Sequence, residues 1–256
     1  MKTLVCLLIL GIVLFFTTSQ LDAKELFKAF VKGEKPIPNA AVEDATKWND
    51  GAVGKGKIAF QVADGRLKQT MNDCVNSTKT VFPVKGDNWT DYTVILDMWD
   101  RDNDSVSILF RYTDKENYYN FTIGASDFGN MWYLGDSAAR EDDCFDGGAS
   151  KLGTGPLGLI IDELGNTPYT MMVRVKGSKI EVFFGEQVSK KDLVAGKTPT
   201  KLGEADDNSH KKGTVGLHHG SNPVDFANIY VLGPSGFAVD VKDKLPTVWG
   251  RLKSNY

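Results

Sequence analysis

Histidine is scarce in this chain of 256 residues, which holds only His210, His218 and His219. Adjacent residues on a strand point to opposite faces, so His218 and His219 do not by themselves make a metal site. His210 lies in the polar run Asn208-Ser209-His210-Lys211 and is expected at the surface. Neither Cys74 nor Cys144 has a histidine beside it, which speaks against a nucleophilic thiol. Charge of one sign is lacking too. The formal net charge is −3, without the clustered cations that a nucleic-acid partner requires and without an acidic tail. No Gly-x-Ser-x-Gly elbow, phosphate-cradling glycine loop or internal repeat occurs, and almost no long stretch follows a helical period.

The chain opens with Met1-Lys2 and an apolar run from Thr3 to Phe16, followed by small residues at Thr17 to Ser19 and at Ala23. This pattern predicts a secretory signal peptide over residues 1–23, with cleavage after Ala23 or after Ser19. Membrane contact is then expected only through that cleaved segment. Two cysteines remain, Cys74 and Cys144, and an isolated pair in an oxidising compartment predicts one disulfide. A loop of that length would gain about 4 kcal/mol in the chain-entropy account. Four sequons start at Asn76, Asn88, Asn103 and Asn120, glycan acceptors in a eukaryotic secretory pathway.

The organisation reads as a leader over 24–40, one domain over 41–233 and an extension over 234–256 that contains Trp249. Within the domain, Trp89 to Ile123 carries three alternating apolar runs. Tyr92, Val94, Leu96 and Met98 share one face, Val106, Ile108, Phe110 and Tyr112 the next, and Tyr119, Phe121 and Ile123 the third. They predict three adjacent antiparallel strands, joined by an acidic turn at Asp100 to Asp104 and a polar one at Asp114 to Asn117. Further strands are expected at Ile58 to Val62 and Arg66 to Gln69 across Asp64-Gly65, and at Val81 to Val84. Later ones are expected at Tyr169 to Val175, Lys179 to Phe184, Gly213 to His219 and Val224 to Leu232. Residues 124–160 read as irregular, with a surface loop around Asp142 to Gly148. Many short strands with glycine-bearing turns select an all-β, antiparallel sandwich.

Several pieces occur in a telling order: Trp89 to Tyr92, the acidic turn, Phe110 to Phe121, Gly213 to Leu217 and Phe226 to Val231. In these the chain resembles the concanavalin A-like, laminin-G-type jelly rolls, including the carboxy-terminal lectin-like domain of thrombospondins. The resemblance implies a jelly roll. Members of that superfamily that hydrolyse glucans carry a strand bearing E-x-D-x-E, and this chain has none; Glu181 and Glu186 flank a strand without that spacing.

Asp100, Asp102 and Asp104 alternate in a turn and suit a hard cation such as calcium. Ser105 stands where an EF-hand needs glycine and Arg111 where it needs glutamate, so the loop is not an EF-hand. A second loop would complete the site, with Asp225 or Asp97 as the donor that the resemblance implies; the competing reading is that the aspartates only form the turn. Asp97 and Trp99, Ser107 and Arg111, and Tyr118 and Asn120 occupy the phase opposite the apolar one. Aromatic plates beside an arginine and amides suit a sugar, which presents ring faces and hydroxyls together. The alternative is that Trp99 and Tyr118 are buried cross-strand partners. Trp132 could border that site or anchor its segment. These features point to a secreted, non-catalytic module that binds carbohydrate or a glycosylated or matrix protein, with structural calcium. A carbohydrate-active enzyme with loop-borne catalytic residues and a structural matrix scaffold are the rival readings.

Overall fold

The alternation in Tyr92–Asp100 is obeyed in three dimensions: Tyr92, Val94, Leu96 and Met98 all lie in the main core. The computed structural model describes residues 25–36, 52–53, 60–70, 78–82, 89–114, 116–137, 150–220 and 223–234. Its strands are β1 (Glu25–Ala29), β2 (Ala52–Val53), β3 (Phe60–Ala63), β4 (Arg66–Gln69), β5 (Thr78–Val81), β6 (Tyr92–Asp100), β7 (Ser105–Asp114) and β8 (Asn117–Gly124). They continue with β9 (Met131–Ser137), β10 (Ser150–Pro156), β11 (Tyr169–Lys176), β12 (Lys179–Glu186), β13 (Thr200–Asp206), β14 (Thr214–Gly220) and β15 (Val224–Leu232). Among the described residues a short α-helix, α1 (Lys190–Val194), is capped by Ser189, whose hydroxyl accepts from the Asp192 N–H.

Two antiparallel sheets face each other. One runs β13-β12-β11-β6-β15-β4-β3 with β1 also paired to β15, and the other runs β10-β9-β8-β7-β14-β5-β2. Val94, Leu96, Ile108, Phe110 and Phe121, on the faces expected to point inward, are fully buried in the one core between them, with Val173 and Val182 of the later strands. This is the antiparallel sandwich that the sequence predicts. The Asp64-Gly65 hairpin is as expected, both residues having positive φ (54° and 70°) between Ala63 and Arg66.

Five expectations are corrected. The second and third central strands are neighbours as expected, since β7 pairs with β8 and β14, but the first is not beside them: β6 pairs with β11 and β15 in the other sheet. The acidic turn therefore carries the chain from one sheet to the other. Period-two alternation states which side of a strand faces the core, and that statement is the same in either sheet. Tyr112 leaves the core phase and packs with Leu109 and Tyr118 instead. Arg111 has φ 48°, and between Leu109 and Tyr112 the register of β7 with β14 shifts by one residue, so one residue is bulged out and the phase flips.

The irregular stretch at 124–160 contains β9 and β10, whose glycines hid them. Gly153 and Gly155 of β10 lie against the Trp132 indole, where a Cβ would come within 3.0 and 2.9 Å. Gly203 of the opposite sheet would put one at 2.4 Å. Trp132 is a plug between sheet edges, which is the anchoring alternative for that residue. The leader supplies a strand as well, β1, with Phe27 and Ala29 fully buried. The strand expected at Val81 to Val84 is placed three residues earlier, at Thr78–Val81. Cys74, Cys144, Asn76, Asn88, Trp249 and the signal segment lie outside the described residues.

Candidate functional site

β15 is the element that builds the site. Its register against β6 shifts between Ala227 and Tyr230, and Asn228 sits in that bulge with φ 49°. On its other side β15 pairs first with β4, at Val224–Phe226, and then with β1, at Ile229–Leu232. At the junction the Asn228 N–H donates to the carbonyl of Phe30, itself at φ 53°, over 3.0 Å. Two non-glycine residues in the left-handed region hold each other in place here. The turn at Phe30 brings Val31 to Glu34 onto the outer face of the eight-stranded sheet, closed by a Glu34 N–H to Val31 carbonyl bond with Gly33 at φ 78°.

The bulge aims the Asn228 amide at Asp97 on the neighbouring strand. Asp97 is 3% exposed and accepts from Asn228 Nδ2 at 2.7 Å, Gln187 Nε2 at 2.5 Å and Thr170 Oγ1 at 2.6 Å. All three donors are neutral. Burial raises the Asp97 pKa above the usual carboxylate range, and the three hydrogen bonds only partly oppose it. The Thr170 hydroxyl also accepts from the Val188 N–H at 2.9 Å, which ties the segment leading into α1 to this floor. A cavity of about 290 Å³ borders Asp97, Gln187, Asn228, Tyr230 and Glu34. Burial pushes the Tyr230 phenol far up, so it keeps its proton.

Glu34 stands across this cavity with the opposite electrostatics. Burial acts to raise its pKa, but Lys190 (2.6 Å) and Lys28 (3.0 Å) outweigh that and hold it below the usual range. A second cavity of about 600 Å³ adjoins the first and reaches Trp99 and Arg66. On the far side Ile95, Met172, Leu193 and Leu232 line a third, of about 280 Å³. The outer face is thus a groove with an apolar end, a polar middle and a cationic–aromatic end.

The sequence-expected site residues are divided by the fold. Asp97 and Trp99 lie on the eight-stranded sheet, and Arg111, Tyr118 and Asn120 belong to the seven-stranded one, so the core thickness separates them. Trp99 and Tyr118 are 8% and 0% exposed, Arg111 1% and Asn120 0%. Their expected exposure on one common face is therefore corrected. The Arg111 guanidinium turns to the end of the sandwich and donates to the carbonyls of Thr90 (3.0 and 3.3 Å), His210 (2.9 Å) and Gly177 (2.6 Å). Asn120 donates to Thr122 Oγ1 at 3.0 Å within the buried outer face of β8. The residues that sequence reasoning missed, Gln187, Asn228 and Arg66, have no local signature beyond the broken alternation after Ala227.

The calcium set does not converge. Asp225 is fully buried, and its Oδ2 accepts from Arg101 at 2.5 Å and Arg66 at 3.3 Å. A carboxylate already shared by two guanidiniums is a poor cation ligand. Asp100 is 1% exposed, and Asp102 accepts from the Asn103 N–H at 2.9 Å. Asp104 has a raised pKa, first from burial and then from Asp102 and Asp127. Among the described residues no three carboxylate, histidine or cysteine side chains are grouped to hold a metal. His210 is not at the open surface: its Nε2 lies 2.7 Å from Asp136, its ring packs edge-on against Tyr119, and its N–H donates to the Tyr119 hydroxyl.

No family model matches this chain, and no curated protein matches it in sequence. A Bacillus subtilis protein described as of unknown function with a galectin-like fold superposes with a TM-score of 0.51 at 10% identity, over 72% of this chain and 91% of that one. The VIP36 exoplasmic/lumenal domain, in its Ca2+/Man3GlcNAc-bound form, gives 0.51 at 7% identity, over 77% and 89%. The carbohydrate-binding module CBM66 from Bacillus subtilis gives 0.49 at 16% identity, over 70% and 93%. The first two likenesses agree with the strand topology in giving this chain an antiparallel jelly-roll β-sandwich fold. At such identities they speak to fold alone.

Proposed function

We propose that the protein is a carbohydrate-binding module whose ligand lies along the outer groove of the eight-stranded sheet. The observation that carries this reading is Asp97. A buried carboxylate held by Gln187, Asn228 and Thr170 fixes two side-chain amides at the floor of an open cavity, and each amide keeps a carbonyl oxygen for another donor. Rigid amide acceptors and donors beside apolar walls match the hydroxyls and ring faces of a sugar. That lectin-like sandwiches include a protein crystallised with Man3GlcNAc supports the ligand class.

The finer parts of the proposal are secretion through residues 1–23, a Cys74–Cys144 disulfide, a kinship with the thrombospondin-type lectin-like domain, and a glycosylated or matrix protein as carrier of the glycan. Calcium, expected at the acidic turn of Asp100, Asp102 and Asp104, finds no grouped ligand set among the described residues; binding measured in chelator and in millimolar calcium tests it, and equal affinities reject it. A glycan array with the full chain tests the main reading. Gln187→Ala, at the groove, is expected to weaken binding about tenfold while the melting temperature holds, as loss of one well-placed hydrogen-bonding group does. Unchanged binding in Gln187→Ala would move the site elsewhere.

A second reading rests on a specific feature. Asp97, held high, and Glu34, held low, border one cavity, and carboxylates pushed apart in this way serve as acid and base in glycoside cleavage. Release of reducing sugar from a bound glycan, lost in Asp97→Asn, would favour the enzyme. Binding without release favours the module.

A further inference from the structure

The cationic end of the groove has a feature that a site for neutral sugars would not need. The Arg66 guanidinium lies 3.7 Å above the Trp99 ring centroid, so the indole face that a neutral sugar would stack on is already covered. Its Nη1 is held by Asp225 at 3.3 Å, and Asp225 is fully buried and shared with Arg101. Stacking and this ion pair fix the plane of the guanidinium. Its Nε and Nη2 have no hydrogen-bond partner among the described residues, and the side chain is 32% exposed.

The charges around the same cavity are unequal in a way that leaves a cation over. Asp64 is engaged by Lys68 at 2.6 Å, and Glu34 by Lys190 and Lys28. Asp225 is engaged by two arginines. Lys32 is exposed, borders the cavity with Arg66, and makes no ion pair among the described residues. Among the described residues, this end of the groove thus holds more cations than anions although the chain's net charge is −3.

Resting on the carbohydrate-binding reading, we propose that the groove takes an anionic sugar, one bearing a carboxylate or sulfate that Arg66 and Lys32 clamp while Gln187 and Asn228 read its hydroxyls. A planar guanidinium with two free N–H groups matches a carboxylate or sulfate edge through paired hydrogen bonds. Such a contact is also expected to weaken with salt, because both cations are partly exposed.

The test is isothermal titration of the full chain with matched probes: oligogalacturonate against its methyl ester, and a heparin oligosaccharide against its desulfated form. At least one acidic probe is expected to bind about tenfold or more tighter than its neutral partner, the size of a charged hydrogen bond gained. Lys32→Gln, at an exposed position, and Arg66→Lys, which keeps charge but loses the planar edge, are each expected to reduce that ratio severalfold. Arg66→Gln is expected to abolish it, with a melting curve to verify folding. Tight binding of a neutral probe with no acid preference, or a preference untouched by Lys32→Gln and Arg66→Lys, overturns the anionic-sugar inference and leaves the carbohydrate reading standing. Failure of all four probes together with a blank glycan array overturns both.

Discussion

Replacing Arg111 by methionine would remove the donors that lock one end of the sandwich while keeping most of the side chain's length and apolar stem. The guanidinium is 1% exposed and donates four hydrogen bonds to the carbonyls of Thr90, Gly177 and His210. Charge-assisted bonds contribute roughly 1.5–3 kcal/mol each. Thr90 and Gly177 are exposed residues, so water reaches their carbonyls once the cation is gone, and the lower end of that range applies. Three carbonyls then give a loss of about 3–5 kcal/mol. The unfavourable φ of 48° and the 2.6 Å bond from the Arg111 N–H to the Tyr92 hydroxyl belong to the backbone, so they remain in the variant and do not contaminate the comparison. Urea unfolding followed by tryptophan fluorescence reads the effect. With a slope of about 2 kcal/mol per molar, the midpoint should fall by roughly 1.5–2.5 M. Arg111→Lys should recover part of this, because an ammonium cannot reach three carbonyls at once. A loss below about 1 kcal/mol, within the range of an ordinary surface change, would refute the clamp. Unchanged stability with lost glycan binding would return Arg111 to the ligand.

Three further outcomes are expected. Because the folded pKa of Asp97 is raised, its contribution to stability is full below the unfolded value near 3.8 and is lost as pH rises through the folded one. Melting temperatures of wild type minus Asp97→Asn should therefore fall from acid toward neutral pH, and a flat difference would contradict the assignment. Gly203→Ala should cost about 1–3 kcal/mol by overpacking, since its Cβ would meet Trp132 at 2.4 Å, and Trp132→Phe in the same chain should restore part of it in a double-mutant cycle. In a eukaryotic expression host, mass spectrometry should find glycan on Asn103, which lies in a surface turn, and none on fully buried Asn120.

The sequence by itself determined the central strands and, up to Phe110 in the second of them, the side of each that faces the core. Alternation at Tyr92–Met98, Val106–Phe110 and Tyr119–Ile123 is a local property, and a slip of one residue would bury the wrong set. The all-β class and the Asp64-Gly65 hairpin were legible for the same reason, since both rest on neighbouring residues. Which sheet a strand joins was not legible, because β6 and β7 carry the same alternation whether a turn returns the chain beside itself or crosses the core. That single choice separated Trp99 from Tyr118 and dissolved the site that their pattern suggested. Glycines hid β9 and β10, since only the Trp132 indole, lying over Gly153 and Gly155 of the paired strand and against Gly203 of the opposite sheet, explains why residues without side chains line a strand. The groove was decided entirely in tertiary structure. Arg66 reaches Trp99 from a neighbouring hairpin, Gln187 reaches Asp97 across 90 positions and Asn228 across 131. Their chemistry comes from strand register and from a bulge that only pairing with β6 and β1 can place.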